Sequence, residues 1–144
     1  MMNLHQRPAL DAVRELLIEN DLPTEDLSTK TMEHFFGCGE RENVKGVVGL
    51  EIYGEDGLLR SLVVSSSARG LGCGSVLVDK IEMHAKDNGV HHLYLLTDTA
   101  EEYFERRGYV KIGRETASES VKRTREFSEL CPASAVVMRK SLAN

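Results

Sequence analysis

The chain has 144 residues, of which 41% are hydrophobic and 28% charged, and a formal net charge of -5; this fits one compact globular domain spanning residues 1-144 and not a disordered or fibrous chain. Its basic residues are dispersed apart from small groups such as Arg106-Arg107 and Lys122-Arg123-Arg125, which argues against a nucleic-acid partner. No signal-peptide core opens the sequence and no run of ~18 apolar residues could cross a bilayer, so a cytoplasmic location and no membrane partner are expected.

Ala9, Leu10, Val13, Leu16 and Leu17 fall at helical spacing after Pro8 and predict an amphipathic helix over residues 7-20. Leu22-Pro23-Thr24 breaks it, a helical turn is expected near 24-28, and Phe35-Phe36 marks a strand. From Lys45 to Tyr53, Val48, Leu50 and Ile52 alternate with Val47, Gly49, Glu51 and Tyr53, which predicts a strand with two distinct faces. Gly54-Glu55-Asp56-Gly57 turns the chain back into a strand over 58-64, giving an antiparallel meander.

Ser65 to Gly74 is a polar, glycine-rich loop that runs into a helix marked by Leu77, Val78, Ile81 and Ala85 and closed by Asn88-Gly89. A strand over 90-96 follows, laid parallel to the 58-64 strand or near it by a right-handed crossover. A short helix over 100-107, a strand over 109-112, a largely helical segment over 119-130 and a closing strand over 135-140 complete the prediction. The class is α+β with a mixed sheet.

Arg69-Gly70-Leu71-Gly72-Cys73-Gly74 sits between a strand and a helix, where successive backbone N–H groups can converge on an anion such as a diphosphate. No Lys-Ser/Thr pair follows the last glycine, so it is not a P-loop, and the GxGxxG spacing of dinucleotide folds is absent. A helix-capping glycine loop without a ligand is the bland reading. The three cysteines, Cys38, Cys73 and Cys131, lack CxxC spacing and predict neither a disulfide framework nor a zinc site. His91 and His92 adjoin on a strand and point to opposite faces, and His5, His34 and His84 have no ligand spacing, so no metal is expected.

Arg69, Gly72 and Gly74, placed after Leu62-Val63-Val64, match the Arg/Gln-x-x-Gly-x-Gly/Ala pattern that resembles the pyrophosphate-binding signature of the GNAT acetyltransferases. The segment Ala100 to Tyr109 resembles the same family's helix-to-strand unit ending in Gly-Phe/Tyr, so the resemblance covers most of the chain. More narrowly, Gly57 to Leu62, Leu93 to Thr97 and Thr124 to Ala135 resemble the arsenic-resistance N-acetyltransferases of the ArsN type. The resemblance implies a mainly antiparallel mixed sheet flanked by helices, acetyl-CoA as co-substrate and a small amine as acceptor. The narrower resemblance implies as that acceptor a small amino-acid-like toxin or metabolite, such as an arsenical or a phosphinic amino acid, ahead of protein N-termini or polyamines. A homodimer through the C-terminal strand or an exposed sheet edge follows from the family's frequent dimers.

By the same resemblance, backbone groups of Leu62, Val63 and Val64 pair with the pantetheine arm, one N–H polarises the thioester carbonyl, and Arg69, Gly70, Leu71, Gly72, Cys73, Gly74 and Ser75 cradle the diphosphate. Ser66 stands where many relatives have proline. The tyrosine that the family often uses to protonate the leaving thiolate falls at Phe104, which leaves Tyr103 as a candidate acid set about 100° away around the helix, or as a packed tyrosine. Glu51 is a candidate base for the amine, or a solvated strand residue. Arg60 pairs with a substrate acid, or closes an internal salt bridge. Cys131, ahead of Pro132, invites a trivalent-arsenic ligand, but no second or third thiol is close in sequence, so it reads as a buried small hydrophobe. The rival to an enzyme is a non-catalytic acetyl-CoA-binding module, a sensor or interaction domain.

Overall fold

A computed structural model describes residues 3-70, 72-124, 127 and 135-142. Seven strands form one sheet in the order β1-β2-β3-β4-β5-β7-β6. They are β1 (Leu4–Gln6), β2 (Phe35–Glu40), β3 (Asn43–Tyr53), β4 (Asp56–Val64), β5 (His92–Thr97), β6 (Val110–Ile112) and β7 (Val136–Ser141). The helices are α1 (Leu10–Glu19), α2 (Cys73–Asp87), α3 (Glu101–Arg106) and α4 (Glu119–Lys122). Every pairing is antiparallel except β4 with β5, which α2 connects. The α+β class with a mixed, mainly antiparallel sheet is thus the observed one.

The two faces read from β3 bury against different helices. Val48, Leu50 and Ile52 pack with Leu77, Val78 and Ile81 of α2, whereas Val47 joins Val13, Leu16 and Leu17 of α1, together with Phe35 and Val63. Burying each of the larger aliphatic side chains contributes roughly 1.5–3 kcal/mol, which is why the sheet lies between α2 and α3 on one side and α1 on the other. A third cluster seats Val121 of α4 on Leu58, Tyr94 and Val137.

Four segments differ locally from the sequence reading. Helix α1 starts at Leu10 with Ala9 as its N-cap, so Pro8 precedes the cap and is buried. It ends in a Schellman-type closure, Leu22 N–H to Leu17 O at 3.0 Å and Asp21 N–H to Ile18 O at 3.2 Å, with Asp21 at φ 57°. Near Thr24 there is one hydrogen-bonded turn, Leu27 N–H to Thr24 O at 3.1 Å, and the helical turn forms later, as a 3-10 turn at Thr31–His34. Strand β1, too short for a periodicity signal, was not foreseen in residues 4-6. Of the helical segment expected over 119-130, α4 occupies the first four residues; residues 125, 126 and 128-134, Cys131 among them, lie outside the described residues.

Two irregularities of β4 shape the site. Val47 pairs with Val63 but Gly49 pairs with Arg60, leaving Val48 opposite both Ser61 and Leu62, and Ser61 has φ 59°. This is a β-bulge, one extra residue that bends the strand. In addition, β4 pairs with β5 only over Asp56–Leu58 against His92–Tyr94, although both strands continue. From Leu59 onward the two part, and β5 pairs on with β7 alone.

Candidate active site

The parting of β4 and β5 opens a cleft of about 490 Å³. It is lined by Pro23 from the α1–β2 connection, Arg60, Ser61 and Leu62 of the bulge, Thr97 at the end of β5 and Phe104 of α3. Along it, the β5-facing backbone of Leu59 to Val64 makes no strand pairing, so a row of N–H and C=O groups is presented to whatever extended chain enters. The side chains of Leu62, Val63 and Val64 are ordinary packing residues: Val63 belongs to the α1 cluster, and Leu62 and Val64 lie against the α2 cluster.

At its far end β4 runs into the glycine turn. Ser66–Ala68 makes a 3-10 turn with Ala68 buried as its anchor, and Arg69 Nε donates to the carbonyl of Val64 at 3.3 Å, so the Arg69 side chain structures the loop. Gly70 and Gly72 have φ 84° and 82°, and a Cβ on either would meet nothing within 4 Å. The left-handed backbone is what requires glycine there, because other residues lose ~1–2 kcal/mol in it. Leu71 lies outside the described residues.

Gly72 caps α2, whose first internal bond is Val76 N–H to Gly72 O at 3.1 Å. The N–H groups of Cys73, Gly74 and Ser75 therefore have no acceptor within the helix, and the helix dipole adds partial positive charge, which together favour an anion. Cys73 turns inward against Gly46, where a Cβ would stand 2.5 Å from its Sγ. Burial pushes its thiol up, and burial with the Cys73 contact pushes Cys38 up to about 12, so both stay as thiols.

At the cleft floor Arg60 and Ser61 belong to an ion-pair network that extends beyond the lining. Arg60, 4% exposed, donates from Nη1 and Nη2 to the two carboxylate oxygens of Asp26, from Nη1 to Glu51 Oε2 at 2.8 Å and from Nε to Ser61 Oγ at 3.0 Å. Tyr53 donates its hydroxyl to the other Glu51 oxygen; burial, with Glu51 as acceptor, pushes the Tyr53 phenol far up. Of the two readings open for Arg60, the internal salt bridge is the one formed. Glu51 is not a freely solvated strand residue, since both its oxygens are engaged. Asp26 was missed because it lies 34 residues from Arg60; Tyr53 carried a local signal, sharing a strand face with Glu51 two residues away.

Phe104 and Tyr103 point differently, as their 100° offset on a helix requires. Phe104, 4% exposed, lines the cleft and stacks edge-on with Tyr109 at 5.4 Å between ring centroids. Tyr103 faces α2, with its hydroxyl 4.0 Å from where a Cβ on Gly74 would stand. Among the described residues no group of three or more His, Cys, Asp or Glu side chains is placed to hold a metal. His34 and His84, however, meet away from the cleft with Nδ1 and Nε2 2.9 Å apart, a contact across 50 residues that no spacing announces.

Comparison with known proteins agrees with this geometry. Over its whole length the chain superposes on part of N-acetylglutamate synthase from Neisseria gonorrhoeae, solved with coenzyme A and N-acetyl-glutamate, with a TM-score of 0.80 at 17% identity. It spans about a third (36%) of that protein's length. A Mycobacterium tuberculosis protein solved with CoA matches with a TM-score of 0.79 at 18% identity, covering 98% of this chain and 99% of that one. An aminoglycoside 6'-N-acetyltransferase complexed with coenzyme A matches with a TM-score of 0.70 at 18% identity, covering 99% of this chain and 98% of that one. At these identities the likeness is one of fold. Residues 2–109, most of the chain and all of the cleft strands and glycine turn, match the Acetyltransferase (GNAT) family, and to that family this chain belongs.

Proposed function

We propose that the chain is an N-acetyltransferase that moves an acetyl group from acetyl-CoA to the primary amine of a small amino-acid-like acceptor, by direct attack in a ternary complex. The observation that carries this is the unpaired edge of Leu59 to Val64 leading into the donor-rich turn of Gly70 to Ser75. An amide-bearing arm ending in a diphosphate matches both halves, strand-like backbone pairing first and converging N–H groups second. Coenzyme A in the solved relatives has that chemistry.

Holding both reactants in one cleft supplies the orientation term of catalysis. A backbone N–H of the bulged β4 segment serves as donor to the thioester carbonyl as negative charge develops on its oxygen. Glu51, fixed by Tyr53 and Arg60, receives the amine proton through water, and Arg60 acts by holding Asp26 and Glu51 in place. The leaving thiolate is protonated by water or leaves unprotonated, since Phe104 offers no proton.

The ArsN-type resemblance supports an arsenical or phosphinic amino acid as acceptor, and the N-acetyl-glutamate in one relative suits an amino-acid-like class. Phe104 in the cleft favours a second reading, a non-catalytic acetyl-CoA-binding module. Release of free CoA thiol from acetyl-CoA over a panel of phosphinothricin, arsinothricin, glutamate, methionine sulfoximine and spermidine tests the two. Turnover with an amino acid is expected. Background rates with every amine, while acetyl-CoA still raises the melting temperature, would replace the enzyme by the binding module.

A further inference from the structure

The hydroxyl of Tyr103 is buried and makes no hydrogen bond among the described residues, and the same holds for Nε of Arg107, one helical turn further along. The two side chains are neighbours: the Arg107 guanidinium lies 5.9 Å from the Tyr103 ring centroid, and its Nη2 is held by Asp79 of α2. Both lie against α2, Arg107 at Asp79 and the Tyr103 hydroxyl beside Gly74 in its first turn. The N–H groups of Cys73, Gly74 and Ser75 start there without helical acceptors. Donors therefore outnumber acceptors along this face, and the carboxylate of Asp79 is already paired. Buried hydrogen-bonding groups are rarely left without partners, so the Tyr103 hydroxyl beside the start of α2 calls for an acceptor that the described residues do not supply.

We infer that Tyr103 belongs to the cofactor's phosphate subsite: its hydroxyl donates to an anionic oxygen of the diphosphate carried by the Gly70 to Ser75 turn, with Arg107 fixed behind the ring as a positive charge. This rests on the acetyl-CoA reading above, in which Tyr103 has no assigned part. Tyr103 is a positioning residue that orients the donor, while the cleft where the thiolate forms is faced by Phe104. Gly74 fits the same role, because its missing side chain keeps the space between Val64 and the Tyr103 hydroxyl clear.

The test is Tyr103→Phe, which keeps the ring. Calorimetric titration with CoA should show binding weakened roughly tenfold, the loss of one hydrogen bond to a charged group. The KM for acetyl-CoA should rise by more than kcat falls, and turnover of S-acetyl-N-acetylcysteamine, a thioester without phosphate, should track the wild type. The unliganded variant should melt no lower than the wild type, because the hydroxyl has no protein partner to lose, and the upward shift given by CoA should shrink. CoA binding equal to wild type would overturn the inference. So would an equal fall of kcat with both thioesters, which would make Tyr103 the acid after all. A wild type that binds no CoA by calorimetry would remove the acetyl-CoA reading itself, and this inference with it.

Discussion

The glycine turn, which follows the end of β4, and the ion-pair network around Arg60 in the middle of that strand are organised in opposite ways. At the turn, backbone conformation sets the shape and donors remain open: Gly70 and Gly72 hold left-handed angles, and the first N–H groups of α2 face outward. At the floor, side chains set the shape and use one another up, with Arg60 divided among Asp26, Glu51 and Ser61. A region with surplus donors recognises an anion, whereas a satisfied ion-pair network holds its members rigidly in place. One region is built to bind and the other to position.

Breaking the floor should have the largest effect. Asp26→Ala leaves the Arg60 guanidinium buried with half its carboxylate partners gone, and loss of about 3 kcal/mol is expected for such an uncompensated charge. In a domain of this size that corresponds to a fall of roughly 10 °C in melting temperature; an unchanged melting curve would show that the network is not a scaffold. At the turn the cost should divide between glycines. Gly72→Ala forces a side chain into φ 82° and should lose about 1 kcal/mol of stability together with much of the CoA-induced stabilisation. Gly74→Ala meets its nearest atom, Val64 Cγ2, at an ordinary 3.6 Å, so thermal melting should be nearly unchanged while calorimetry shows weaker CoA binding. Equal loss of stability in both variants would mean that the turn is shaped by packing and not by backbone angle.

The smallest effect expected is one of pH, and it lies outside both regions. Burial, with His34 and Lys80 nearby, holds His84 below its ordinary value of 6.5 while Asp87 opposes them. The folded chain therefore takes up this proton less readily than the unfolded chain. Its contribution is complete above pH 6.5 and is lost as pH falls toward the lowered value. Denaturant midpoints should drop as pH falls below 6.5, and His84→Gln should flatten the drop without touching the cleft.

How much of this was legible in the sequence follows from distance along the chain. The glycine turn is local: a strand, three glycines and an apolar helix in sequence suffice to place it, and Gly72 at the N-cap is where that order puts it. The two-faced strand β3 was equally readable, since its alternating residues bury against different helices, Val48 and Leu50 with α2 and Val47 with α1. The Arg60–Asp26 pair joins a strand to an irregular connection 34 residues earlier, and no periodicity links them. The direction of Tyr103 was readable only as an angle relative to Phe104. That the angle points it at Gly74 depends on how α3 packs on α2, a tertiary fact. The bulge at Ser61 left no trace either, because left-handed serine has no spacing signature.

The parting of β4 from β5 has a consequence for association. Unpaired strand edges at the rim of a sheet invite strands from other molecules, and here both rims are short, three residues each in β1 and β6. The longer unpaired stretch, Leu59 to Val64, lies inside the sheet, walled by β3 on one side and by β5 with β7 on the other. A foreign sheet cannot dock there edge to edge, but a single narrow chain can slide in. The fold thereby keeps a long run of reactive backbone without the aggregation hazard that the same run would carry at a rim.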